Sequence, residues 1–145
     1  MEVYTIGFTQ TSAADFFGRL RSAGVRRLVD VRLNNSSQLA AFAKRDDLGF
    51  FLRELCGADY VHEPLLAPTQ DMLDAYKKQR GDWAEYERRY LDLLCVRKVE
   101  TQLGRDLFAG PTVLLCSEAE ATHCHRRLAL DYLKEFWRDM EAKHL

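Results

Sequence analysis

The chain has 145 residues, 47% of them hydrophobic and 30% charged, with a formal net charge of −1. Residues 1–145 are enough for one domain with a single substantial core. The near-neutral charge excludes a bulk electrostatic grip on nucleic acid or anionic lipid, and leaves only local basic patches for such contacts.

No run approaches the roughly 18–20 consecutive apolar residues of a membrane span, so no membrane partner is expected. The opening "MEVYTIGF" lacks the basic region and long apolar stretch of a secretory signal. The expected compartment is therefore cytoplasmic, where thiols are kept reduced. On that expectation Cys56, Cys95, Cys116 and Cys124 do not form a disulfide framework. Cys56 and Cys95 then read as small buried hydrophobes.

"VYTI" at 3–6 predicts a first strand running into Gly7-Phe8-Thr9. Ser12 with Asp15 three residues on fits a helix start. Phe16, Phe17, Leu20 and Ala23 then form an apolar stripe, which Gly24 ends. "VRRLVDVR" at 25–32 predicts a second strand, and a long polar segment, "LNNSSQLAAF", follows. Leu48, Phe51, Leu52 and Leu55 predict a helix over 46–55, stopped at Gly57. "DYVH" at 59–62 predicts a third strand, halted by Glu63-Pro64. Helices are expected over 69–79 and 82–103, the second with Trp83, Tyr86, Tyr90 and Leu94 on one face.

"PTVLLC" at 111–116 is nearly all apolar, as in a strand buried on both sides. A last helix is expected over about 121–142, with Leu128, Ala129, Tyr132, Leu133, Phe136 and Met140 facing inward. Strand and helix alternate throughout. The fold expectation is a three-layer α/β domain, a mainly parallel sheet flanked by helices, Rossmann-like or flavodoxin-like in general architecture.

In open parallel sheets ligands bind beyond the carboxyl ends of the strands. Those ends collect the unusual polar residues here: Thr9, Asp30 and Arg32, His62 and Glu63, then Cys116 and Glu118. Side chains alternate along a strand, so Asp30 and Arg32 share a face and can pair or jointly hold a polar ligand. His62-Glu63 offers a base and its partner, or a loop cap. Thr9 and Ser36-Ser37 could bind a phosphate, or serve as ordinary turn residues.

The segment "LLCSEAEATHCHRR", 114–127, carries several metal-ligand types. Three of them are consecutive, and consecutive helical side chains diverge by ~100°. One ion could take Cys116 with only one or two of His123, Cys124 and His125, and no paired zinc spacing is present, so no metal site is expected. A phosphatase-type nucleophile at Cys116 would need an arginine where Thr122 stands, and Glu118 and Glu120 would repel an anion. Another kind of nucleophilic Cys116 stays open. In a third reading the segment is a polar binding corner. His125 and Arg126 face a ligand, Glu118 is acid or base, and Cys124 is packed and unreactive. Alternatively, His125 and Arg126 only clamp the loop.

"YTIGFT", "LVDVRLNNSSQLAAF", "YVHEPLLAP" and "LLCSEAEATHCHRR", in that order, resemble the DUF488 family over essentially the whole chain. The resemblance implies an α/β fold. It also implies that Asp30, Arg32, Cys116, Glu118, Cys124, His125 and Arg126 occupy motif positions. Members often carry Gly-His-Ser after the first strand, where this chain has Gly7-Phe8-Thr9, and a proline beyond the arginine, where Asn34-Asn35 stands. The family supplies no established reaction or cofactor.

The leading expectation is an enzyme acting on a nucleotide or nucleic-acid-derived substrate at the sheet's C-terminal edge. Asp30 or Glu118 would be general acid/base, Arg32 and Arg126 anion anchors, and His125 a proton carrier. Its partner is then a small polar or anionic ligand. A non-catalytic nucleic-acid or nucleotide-binding module is the alternative, resting on Lys77, Lys78, Arg80, Arg88, Arg89, Arg97 and Lys98 among Tyr76, Trp83, Tyr86 and Tyr90. A thiol- or metal-dependent enzyme using Cys116 is third.

Overall fold

The computed structural model describes residues 1–34, 41–116 and 123–145. Ser36, Ser37 and Glu118 lie outside the described residues. Five strands form one all-parallel sheet: β1 (Glu2–Gly7), β2 (Arg27–Asp30), β3 (Asp59–His62), β4 (Thr112–Cys116) and β5 (Glu141–His144), in the order β3-β2-β4-β1-β5. The α/β expectation holds, with the sheet wholly parallel.

Helix α1 (Ala13–Ser22) starts where Ser12 Oγ accepts the amide of Asp15 at 3.1 Å. It ends as Gly24 turns to φ +68°. Helix α2 (Arg45–Phe51) is extended by a π-helical turn over Leu52–Cys56 and ends at Gly57, also left-handed. Leu55, at helical spacing with Leu48 and Leu52, lies exposed in this turn. Helix α3 (Gln70–Leu73), capped by Thr69, likewise continues as a π-helical turn over Asp74–Lys78.

The single helix expected over 82–103 is two: α4 (Trp83–Arg97), capped by Asp82, and α5 (Val99–Gln102). Lys98 separates them at φ +53°, a left-handed position that no glycine announces. Helix α6 runs from His125 to Phe136 and is thus shorter than expected. The chain then turns and adds β5 beside β1, a strand that the sequence reading absorbed into the helix. "EAKH" has no β-branched residue and stays mostly exposed; backbone pairing, the amide of Glu141 donating to Met1, and side-chain links from Lys143 to Glu2 and from His144 to Thr5 hold it to β1.

The alternating strand residues split the core in two. Ile6, Leu28, Val113 and Leu115 meet α1 and α2 through Phe16, Phe17, Leu20, Leu48 and Leu52. Val3, Val29 and Leu114 meet α3, α4 and α6 on the opposite face, through Met72, Tyr90, Leu94, Leu128 and Leu133. The chain therefore leaves β4 toward one face and leaves β1 and β2 toward the other. Such a reversal opens a crevice at the carboxyl ends of the strands. No helix among the described residues is long and apolar enough to cross a membrane.

Leu114→Ala, in the middle strand, should cost about 2–5 kcal/mol in urea denaturation, as buried leucine truncations do. Phe136→Ala should cost under about 1 kcal/mol, because Phe136 is 52% exposed rather than inward-facing.

Candidate functional site

Beyond its last residue, β2 makes a tight polar turn. Asp30 Oδ1 accepts the backbone amide of Arg32 at 3.1 Å and its Nε at 2.8 Å, while Oδ2 accepts Nη2 at 2.8 Å. The Tyr60 hydroxyl of β3 donates to Oδ2 at 2.6 Å. Asp30 is wholly buried and Arg32 is 2% exposed. The expected pair forms, though through a turn past the strand rather than along it. With both oxygens occupied, Asp30 is placed to orient Arg32.

Two histidines hold the same turn by opposite sides. His62 Nε2 donates to the Arg32 carbonyl at 3.0 Å, and His125 Nε2 donates to the Val31 carbonyl at 2.8 Å. Glu63, beside His62, caps a 3-10 turn by accepting the Leu65 amide. His62 and Glu63 thus take the loop-holding side of the two sequence readings. His125 opens α6 against the ring of Tyr90. Burial pushes its pKa down to about 4, with Arg126 and Lys77 adding to the shift, so the ring is neutral near pH 7. With the proton on Nε2, Nδ1 carries the lone pair.

Cys116 ends β4 and Cys124 is the residue before α6; both are buried. Their sulfurs are joined as a disulfide, with the Cα atoms 7.4 Å apart. That corrects the expectation of four reduced thiols, while Cys124 is packed as expected. A strand end and a helix start meet at one point, a closeness that the eight-residue spacing does not reveal. Cys95 is exposed and Cys56 partly so, against the buried role expected for both; burial still pushes the Cys56 thiol up. Arg126, fully buried, points Nη1 at Cys116 Sγ, 3.8 Å away.

These groups face a cleft of about 250 Å³ lined by Arg32, Cys116, Cys124, His125, Trp83 and Tyr86, among others. Its floor is the turn after β2 and the disulfide. Its wall is aromatic. Trp83 stacks on Tyr86 at 5.2 Å and 19°, Tyr76 meets Trp83 edge-on and tilts against Tyr86, and His123 lies over Trp83 at 4.9 Å. Lys77 also lines the cleft. Arg32 Nη1 is buried and has no hydrogen-bond partner among the described residues. It is the one guanidinium nitrogen of that residue left over by Asp30.

Of the sequence candidates, Arg32, Cys116, Cys124 and His125 line the cleft, while Asp30 and Arg126 stand behind it. Thr9 is exposed in the turn after β1 and is not among the cleft's lining residues. Glu118 lies outside the described residues. The aromatic wall was visible in sequence as a stripe at helical spacing, and it doubles as core: Tyr86 and Tyr90 are buried, Tyr76 and Trp83 half-buried. His123 and Asn34 were not singled out as lining residues, and no local signal marks them.

Three residues of the basic run have partners within the fold. Arg88 pairs with Glu85 and Asp92, Lys78 pairs with Asp74, and Arg97 donates to the carbonyls of Pro64, Leu65 and Ala67.

Asp30→Asn should cost about 3–5 kcal/mol in urea denaturation by leaving a buried guanidinium without its counter-charge. Tyr60→Phe, which removes one hydrogen bond to the same carboxylate, should cost about 1–3 kcal/mol.

A family model described as domain of unknown function DUF488 matches residues 12–133 of the chain. No curated protein and no solved structure matches it.

Proposed function

The chain belongs to the DUF488 family, and we propose that it is an enzyme acting on a nucleotide or nucleic-acid-derived substrate in the cleft at the sheet's C-terminal edge. The observation that carries this reading is an aromatic wall and Arg32 in one small cleft, with Arg32 Nη1 lacking a hydrogen-bond partner among the described residues. A nucleobase stacks on the Trp83–Tyr86 pair by taking the place of the His123 ring that lies over Trp83, as bases stack on aromatic rings in other proteins. The ligand's anionic group is met by Arg32 Nη1 and Lys77. Asp30 fixes the guanidinium plane so that little reorganisation accompanies binding.

The reacting end of the ligand lies toward Cys116, Cys124 and His125. His125, neutral and with Nδ1 unprotonated, accepts a hydrogen bond from the ligand there; its lowered pKa makes it a weak proton acceptor near pH 7. Asp30 is spoken for by Arg32, so Glu118 is the acid/base candidate left from the sequence reading. Arg126 acts on Cys116 instead of on the ligand. The cleft's size favours a mononucleotide or one base of a longer strand over a duplex. The pairing of Arg88, Lys78 and Arg97 within the fold weakens the case for a non-catalytic nucleic-acid-binding surface.

Calorimetry with nucleosides, nucleoside monophosphates and short oligonucleotides tests the binding half. Trp83→Ala should weaken the best ligand by roughly 5- to 150-fold, the equivalent of about 1–3 kcal/mol of lost stacking. Lys77→Ala should weaken phosphorylated ligands while leaving nucleosides unchanged. Mass spectrometry of the incubated ligand tests the catalytic half. Wild-type affinity in both variants would sink the reading, and tight binding with no product would convert it to the binding-module alternative.

A further inference from the structure

We propose that Cys116, Cys124 and His125, with the two cysteines in their thiol form, bind one zinc ion on the cleft floor. The sequence reading expected no metal here because three candidate ligands are consecutive. That reading allowed one ion Cys116 with only one or two of His123, Cys124 and His125, and the fold brings two of them, Cys124 and His125, to Cys116. One ligand atom from each of these residues lies within 4.8 Å of the others, and all three residues are buried. Tetrahedral zinc, with Zn–S near 2.3 Å and Zn–N near 2.0–2.1 Å, sets ligand atoms roughly 3.5–3.8 Å apart. The cluster already falls inside the distance that needs only side-chain adjustment.

The surroundings match what a metal-binding cluster needs. Thiolate and imidazole are the donor types that select zinc over magnesium or calcium. His125 Nε2 donates to the Val31 carbonyl, which fixes the ring and leaves Nδ1 as donor to a metal; ligating histidines ordinarily have such a backbone partner. Arg126 Nη1, 3.8 Å from Cys116 Sγ, favours the thiolate over the thiol. All three residues line the cleft, so a fourth coordination position opens into it. Three protein ligands and one open position make a catalytic type of site, where zinc holds and acidifies a water.

The chemistry balances in two steps. A small-molecule thiol reduces the Cys116–Cys124 disulfide: two thiols supply two electrons and two protons and leave as their own disulfide. Zinc then binds two thiolates and the neutral imidazole, releasing the two thiol protons and forming a cluster of zero net charge. The ion would be held whether or not the cleft takes a base; because it takes the Nδ1 lone pair, His125 in the zinc-loaded chain is a ligand and no longer an acceptor toward the nucleotide.

The test needs no ligand. The full chain is reduced, exchanged into metal-free buffer without oxygen, and titrated with cobalt(II) alone. Expected is a thiolate-to-cobalt charge-transfer band with the strong visible bands of tetrahedral cobalt. Both should saturate at one ion per chain and be abolished by zinc. Cys124→Ser should lose about half of the charge-transfer intensity, while Cys56→Ser and Cys95→Ser keep all of it. Should Cys124→Ser fail to fold, alkylation of the wild-type chain decides. Zinc must then protect Cys116 and Cys124 and leave the labelling of Cys56 and Cys95 unchanged. A folded, reduced wild-type chain without the tetrahedral spectrum overturns the proposal. So does zinc protection confined to Cys56 or Cys95, and so does a fold lost on reduction that zinc does not restore.

Discussion

A buried carboxylate and a buried guanidinium, two residues apart, govern the shape of the sheet's C-terminal edge. Removing both charges from water is costly, and the mutual attraction offsets that cost only when the hydrogen bonds around them are complete. Asp30 meets this condition with four donated bonds, three from Arg32 and one from Tyr60. The turn that results exposes two carbonyls, each taken by a histidine from a different element. β2, β3 and α6 are thereby fastened to one short stretch of backbone. The direction of Arg32 and the position of His125 both depend on it.

The same edge is where the sheet changes direction. Helix α6 leaves β4 on one face while α1 and α2 cover the other, so no helix closes over the ends of β4 and β2 together. The crevice is therefore a product of strand order. What makes it chemically selective is the local sequence at each strand end. Apolar strands deliver the polar residues there, and the surrounding burial turns weak groups into defined ones: a neutral imidazole, a fixed guanidinium, two adjacent sulfurs.

Much of this was legible in the amino-acid order. β1 and β4 follow from short apolar runs, β3 from "DYVH" stopped by Glu63-Pro64, and Ser12 and Gly24 mark the two ends of α1. The pairing of Asp30 with Arg32 follows from proximity alone. β5 did not follow, because an edge strand held by backbone pairing and a few polar side-chain links needs no β-forming side chains, and "EAKH" continues a helical pattern smoothly. Lys98 did not either, since a left-handed lysine is imposed by packing on each side rather than by its own preference. Most telling is the corner at Cys116. Helical spacing correctly says that Cys124 and His125 diverge, yet they converge on Cys116 because Cys124 lies just outside the helix, in extended backbone. A cap residue obeys neither periodicity.

Floor and wall of the cleft come from different parts of the chain. The floor is tied to strand ends and to the buried ion pair, where almost any substitution also disturbs the core. The wall sits on the crossover between β3 and β4, on α3's extension and the first turns of α4. Crossovers tolerate changes of length and side chain that strands do not. A chain built this way can exchange what it recognises while keeping what it does, since the two properties are written in segments under separate physical constraints.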